Sequence, residues 1–179
     1  NRGDCFSHLG IARELGIIEN NKINFLKNKL NVSNFKTSDL LNVKIQDKNI
    51  CTRYSCQIVK NIDVGNSPQW LKNKLNLIGQ KSINNIVDLA NYIMFDTGQP
   101  LHVFDYDKIK GDINVRFAKK GEEIVTLDNI KKKLFVNDIV ISDEKKPIAI
   151  AGVVGGLNSH VDSNTKNILI ESAVFDEIR

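Results

Sequence analysis

Apolar positions near the start of the chain recur at helical spacing, Leu9, Ile11, Ala12, Leu15 and Ile18, with Gly16 near the end of the run, and predict a helix. Residues 20–36 lose that rhythm. They are rich in Asn and Lys with scattered Ile23, Phe25, Leu26 and Leu30, and read as a loose connection or surface helix, the expected internal linker. Alternation and β-branched content over Leu40–Ile45 and Tyr54–Ile62 predict half-buried strands. Ser67-Pro68 then supplies an N-cap and a first-turn proline for a helix carrying Trp70, Leu71, Leu75 and Ile78, stopped by Gly79. A second helix runs from Asn85 to about Thr97, with Ile86, Leu89, Ala90, Ile93 and Met94 on one face, Asp88 and Asn91 on the exposed side, and Gly98 as its cap. From Ile113 the period changes to that of strands. These are expected over Ile113–Phe117, Glu123–Leu127, Lys133–Val136, Asp138–Ser142, Pro147–Val154 and Asn167–Val174, with turns at Asp128-Asn129 and Asp143-Glu144. Helices first and strands later predict an α+β fold of mixed helices and mostly antiparallel β-sheets rather than a doubly wound parallel sheet. The expected division is residues 1–36, a helix and connection, packed as one unit with an α+β domain over 37–179.

Composition narrows the class. The 179 residues are 41% apolar and 26% charged, which suits a globular protein. No apolar run approaches the roughly 20 residues that span a bilayer, and Asn1-Arg2-Gly3-Asp4 lacks the layout of a signal peptide, so no membrane and a cytoplasmic location are expected. A helical pattern at once, with no initial Met, and an end in mid-element at Phe175-Asp176-Glu177-Ile178-Arg179 lead us to expect a piece of a longer chain. Cys5, Cys51 and Cys56 form no CxxC pair and read as reduced packing residues. The net charge of +4 permits contact with phosphate. The lysines are nevertheless spread thinly, and the Asn, Ile and Lys bias equally suits an AT-rich genome.

Candidate chemistry concentrates in three segments. Gly98-Gln99-Pro100-Leu101-His102-Val103-Phe104-Asp105 gathers a turn, a histidine and a carboxylate. Either it walls a site, or Pro100 only breaks the helix while His102 satisfies a backbone group. Ala151-Gly152-Val153-Val154-Gly155-Gly156 ends an apolar strand in paired glycines, able to take positive φ, admit a ligand to the backbone and offer N–H groups, or else to make an ordinary tight turn. Ile168-Leu169-Ile170-Glu171-Ser172-Ala173 puts a carboxylate at the end of an apolar run. Buried, Glu171 wants a partner, and a ligand hydroxyl would serve; alternation equally points it to solvent. No nucleophilic triad, phosphate loop or metal-ligand spacing is present among these motifs, and no metal is expected.

Four ordered stretches add a resemblance: residues 1–14 (NRGDCFSHLGIARE), residues 83–88 with Asn91-Tyr92, residues 98–105 and residues 150–156. Together they resemble the β subunits of bacterial phenylalanine–tRNA ligases, in the central editing region made of the third and fourth B domains, and cover nearly the whole chain. The resemblance implies a proofreading module that hydrolyses tyrosine mischarged onto phenylalanine tRNA, within an enzyme that ligates phenylalanine to tRNA using ATP. It implies His102 and Asn91 at the ester end, and Glu171 with the Gly155 backbone, beside Gly156, reading the phenolic oxygen. Water, assisted by a ribose hydroxyl of the tRNA, is the implied nucleophile. No cofactor is implied for this segment, ATP and Mg belonging to the parent enzyme; the implied partners are phenylalanine tRNA and the α subunit of a heterotetramer. Gly3, where the family usually has Pro, and His160, in a loop where Gly is common, depart from the pattern. The alternative is a non-catalytic module, its editing lost, that braces tRNA or the partner subunit.

Overall fold

A computed structural model describes residues 2–25, 32 and 34–176. The expected connection falls partly on Leu26 and Leu30, which lie outside the described residues, as do Asn1 and 177–179. Two units interleave along the chain, one of Asn1–Lys36 with Asn66–Leu101, the other of Thr37–Gly65 with His102–Arg179.

The first unit is helical. Helix α1, His8–Ile18, is capped by Ser7, whose Oγ accepts the Gly10 N–H at 3.0 Å. Helix α2 is Gln69–Leu77 and helix α3 is Asn85–Thr97. In α3 the Asn84 side chain accepts from the N–H groups of Ile86 and Val87, and Gly98 closes the helix at φ +83°, its N–H reaching the Met94 carbonyl at 2.8 Å. Two expectations are corrected here. Ser67 does not cap α2: Pro68 holds the N-cap position, because the Ser67 hydroxyl is drawn instead to Asp88 at 2.5 Å. Asp88 in turn is not on an exposed side; it is 0% exposed, whereas Leu89, expected inside, is 45% exposed. Asp88 accepts from Ser67, Ser82 and the Ile83 N–H, so one carboxylate ties the chain before α2 to the chain before α3. Leu71 and Leu75 are fully buried, each contributing about 1.5–3 kcal/mol.

The second unit carries ten strands among the described residues: β1 Val43–Ile45, β2 Cys51–Val59, β3 His102–Asp105, β4 Ile113–Phe117, β5 Glu123–Val125, β6 Lys131–Lys133, β7 Ile139–Ser142, β8 Pro147–Ile150, β9 Val154–Gly155 and β10 Ile168–Phe175. They form a five-stranded sheet ordered β1-β4-β7-β8-β9, a three-stranded sheet β2-β10-β3 and the ribbon β5-β6. Every pairing is antiparallel except β1 with β4. The α+β class with mostly antiparallel sheets therefore holds. Cores form around Ile50, Cys51, Val115 and Ile139, and around Ala118, Ile124, Leu134 and Val140.

Strand limits differ from the periodic reading where side chains divert the backbone. The strand expected over Lys133–Val136 lies at Lys131–Lys133, because the Asp138 carboxylate accepts the Phe135 N–H at 2.8 Å and turns the chain. The run expected over Pro147–Val154 breaks at Gly152, φ +67°, and returns as β9. β3, which was not among the expected strands, pairs with β10. No helix among the described residues is long and apolar enough to cross a membrane.

Candidate functional site

The strand pairings of the three-stranded sheet bring the separate sequence signals together. Glu171, at the middle of the central strand β10, stands opposite His102 on β3 and opposite Cys56 on β2. Directly opposed residues of antiparallel strands project to the same face, so all three side chains share one side of the sheet. Phe104, opposite Leu169, and Tyr54, opposite Ala173, extend that face in the two directions. Phe104 and Leu169 are fully buried and form its apolar floor. The His102 ring stands edge-on to Phe104 with centroids 4.5 Å apart.

Glu171 does not point to solvent. It is 5% exposed, and its Oε2 has no hydrogen-bond partner among the described residues. Burial pushes its carboxyl up to about 8, so the ligand-free side chain is mostly protonated at neutral pH. Burial also pushes His102 down to about 4, leaving a neutral imidazole there. The pair is therefore uncharged at neutral pH, able to make hydrogen bonds as donor or acceptor without an ion pair.

The glycine pair acts by its missing side chains rather than by positive φ. A Cβ on Gly155 would lie 2.5 Å from His102 Cε1 and 2.7 Å from Nε2, so the backbone of β9 touches the imidazole. Gly156 is crowded by the Ile148 carbonyl, and its own N–H already donates to that oxygen at 2.7 Å. That donor is not free for a ligand, contrary to the expectation of offered N–H groups. In the turn it is Gly152 that takes positive φ. The loop after the glycines is pinned by Ser159 Oγ on the Ile148 carbonyl and by Thr165 Oγ1 on Asp105.

His102, Gly155 and Glu171 thus converge within the second unit, while Asn91 sits half-buried on α3 in the first unit. Tyr54 and Cys56 were not singled out by the sequence. Their i, i+2 spacing on β2 places them on one face, but only the register with β10 reveals that Glu171 shares it. Among the described residues one group has metal-ligating atoms close together, Asp4, Cys5 and Glu14. Arg2 bonds both of those carboxylates, at 2.6 and 2.7 Å, so the cluster is an exposed ion-pair network.

The profile of the B3/4 domain family matches residues 50–179. The chain is 45% identical over 175 residues to the phenylalanine–tRNA ligase β subunit of Fusobacterium nucleatum subsp. nucleatum, covering 98% of this chain and 22% of that one. It is 43% identical over 179 residues to the same subunit of Aquifex aeolicus, covering 100% of this chain and 22% of that one. It spans about a fifth of the length of these relatives. A crystal structure of an N-terminal fragment of the phenylalanyl-tRNA synthetase β-subunit from Pyrococcus horikoshii superposes with a TM-score of 0.55 at 19% identity, over 97% of this chain and 52% of that one, a likeness of fold.

Proposed function

This chain belongs to the B3/4 domain family, in the form carried by phenylalanine–tRNA ligase β subunits, and from that premise we propose that it edits: it hydrolyses tyrosine esterified to phenylalanine tRNA. The observation that carries the reading is Glu171, a buried carboxyl with an unpartnered oxygen beside a neutral histidine and a bare glycine backbone. A site that must reject tyrosine after the fact has one difference to use, the phenolic hydroxyl, since tyrosine otherwise matches phenylalanine in shape. A buried polar group is satisfied by the hydroxylated side chain and left orphaned by the other, and sites of that kind separate such analogues by about 10⁴ to 10⁵.

The division of labour follows from position. Glu171 accepts a hydrogen bond from the phenolic O–H through its carboxyl oxygen, with the Gly155 backbone alongside. His102, neutral at physiological pH, orients the ester end or takes a proton from the attacking water. The apolar surface of Phe104 and Leu169 lies beneath the ring. No side-chain nucleophile enters this scheme; water attacks, assisted by the ribose hydroxyl adjacent to the ester. The parent enzyme, with its α subunit, ATP and Mg, performs the ligation that this step corrects, and phenylalanine tRNA is the shared substrate.

The test is hydrolysis of tyrosyl and phenylalanyl esters of phenylalanine tRNA by the full-length protein with its partner subunit. Glu171→Ala is expected to abolish the preference for tyrosine. His102→Ala is expected to slow tyrosyl hydrolysis at least ten-fold. Equal, background-level hydrolysis of both esters by the wild type would overturn the reading and leave a bracing module.

A further inference from the structure

Two buried polar atoms on the same sheet face have no hydrogen-bond partner among the described residues: Glu171 Oε2 and the Tyr54 hydroxyl. Their residues are diagonal neighbours across the β2–β10 pairing, Glu171 standing opposite Cys56 and Tyr54 opposite Ala173, a spacing that long and aromatic side chains bridge. Tyr54 is held in place by its ring, which packs against Ile50, Cys51, Val115 and Ile139. The phenol therefore has little freedom to swing toward water, and burial raises its pKa well above the usual range, so it keeps its proton as a donor. Cys56, two residues along β2 from Tyr54 and directly opposite Glu171, partners neither oxygen.

We propose that Tyr54 is a second specificity-determining residue of the site, its hydroxyl donating to the phenolic oxygen of the substrate while that phenol donates its own proton to Glu171. The inference rests on the editing reading and names how the hydroxyl is recognised: as acceptor and donor at once. An aryl side chain with no polar substituent leaves both protein groups orphaned. A 4-amino substituent satisfies Glu171 but offers Tyr54 almost nothing, because its lone pair is delocalised into the ring.

The experiment compares tyrosyl, phenylalanyl and 4-aminophenylalanyl esters of phenylalanine tRNA with the full-length protein and its partner subunit, as wild type, Tyr54→Phe and Glu171→Ala. Tyr54→Phe is expected to lower the kcat/KM ratio of the tyrosyl to the 4-aminophenylalanyl ester about ten-fold, the loss of one hydrogen bond. Its melting midpoint should equal or exceed that of the wild type, since the change removes a buried hydroxyl without partner. An unaltered ratio in Tyr54→Phe, with selectivity lost in Glu171→Ala, would overturn the role of Tyr54 alone. A parallel fall for all three esters would overturn it as well, by showing damage to the fold. Failure of the wild type to prefer the tyrosyl ester would overturn the editing reading and this inference with it.

Discussion

Glu171 and His102 are both held neutral by burial, and the pH dependence of folding should carry the mark of each. The folded-state value of Glu171 lies above its ordinary one, near 8 against 4.5. Its cost to stability is absent below about pH 4.5, grows as the pH rises to 8 and then levels off, at an upper limit of roughly 3–5 kcal/mol. Glu171→Gln should remove that slope, which denaturant titrations at pH 5, 7 and 9 would read as a stability gain confined to the upper two. His102, depressed to about 4, has the opposite consequence: its contribution is complete above pH 6.5 and is lost as the pH falls through 4. Gly155→Ala is the steric counterpart, forcing its Cβ into the imidazole; tyrosyl-ester hydrolysis should fall more than ten-fold while unfolding shifts by only about 1–3 kcal/mol. At this scale the sequence disclosed His102, Glu171 and the glycines, each as one of two readings. Burial decided whether Glu171 faces inward or to solvent, and burial depends on register, which no single segment contains.

At the scale of elements, the helices were legible because caps and stops are local. Gly79 and Gly98 lie beside the turns they serve, while the Asn84 cap was seen only in the structure. The error at Ser67 and Asp88 has a physical source. Both residue types suit an exposed position or a cap, and only tertiary contact shows that the three bonds to Asp88 bind two helix starts together. Asp88→Ala should accordingly cost about 2–4 kcal/mol, measurable by denaturant unfolding, because it orphans Ser67, Ser82 and the Ile83 N–H. Strand existence was also legible, strand limits less so. Side-chain-to-backbone bonds such as that from the Phe135 N–H to Asp138 compete with ladder bonds, and β3 is too short, and too near Pro100, to declare its alternation.

For the whole molecule, the two units each draw on two stretches of chain. Composition marks a linker, such as the one expected before residue 37, but carries no mark of a return crossing. Within the second unit β2 pairs with β10 more than a hundred residues later, so the three-stranded sheet closes a very long loop. In pulsed hydrogen exchange during refolding, amides of β2 should gain protection together with β10 and later than those of α3. Earlier protection of β2 would contradict that order. The placement of Glu171 on the central strand then has a consequence for synthesis at the ribosome. On the editing reading proposed above, the growing chain already carries His102 and both glycines, yet has no carboxyl to read a hydroxyl until β10 slots between β2 and β3, which have been waiting, edges open, since their own emergence. On that reading proofreading capacity would switch on with the completion of this sheet, and a nascent or truncated product that never completes it would be a liability for aggregation and not a rogue hydrolase.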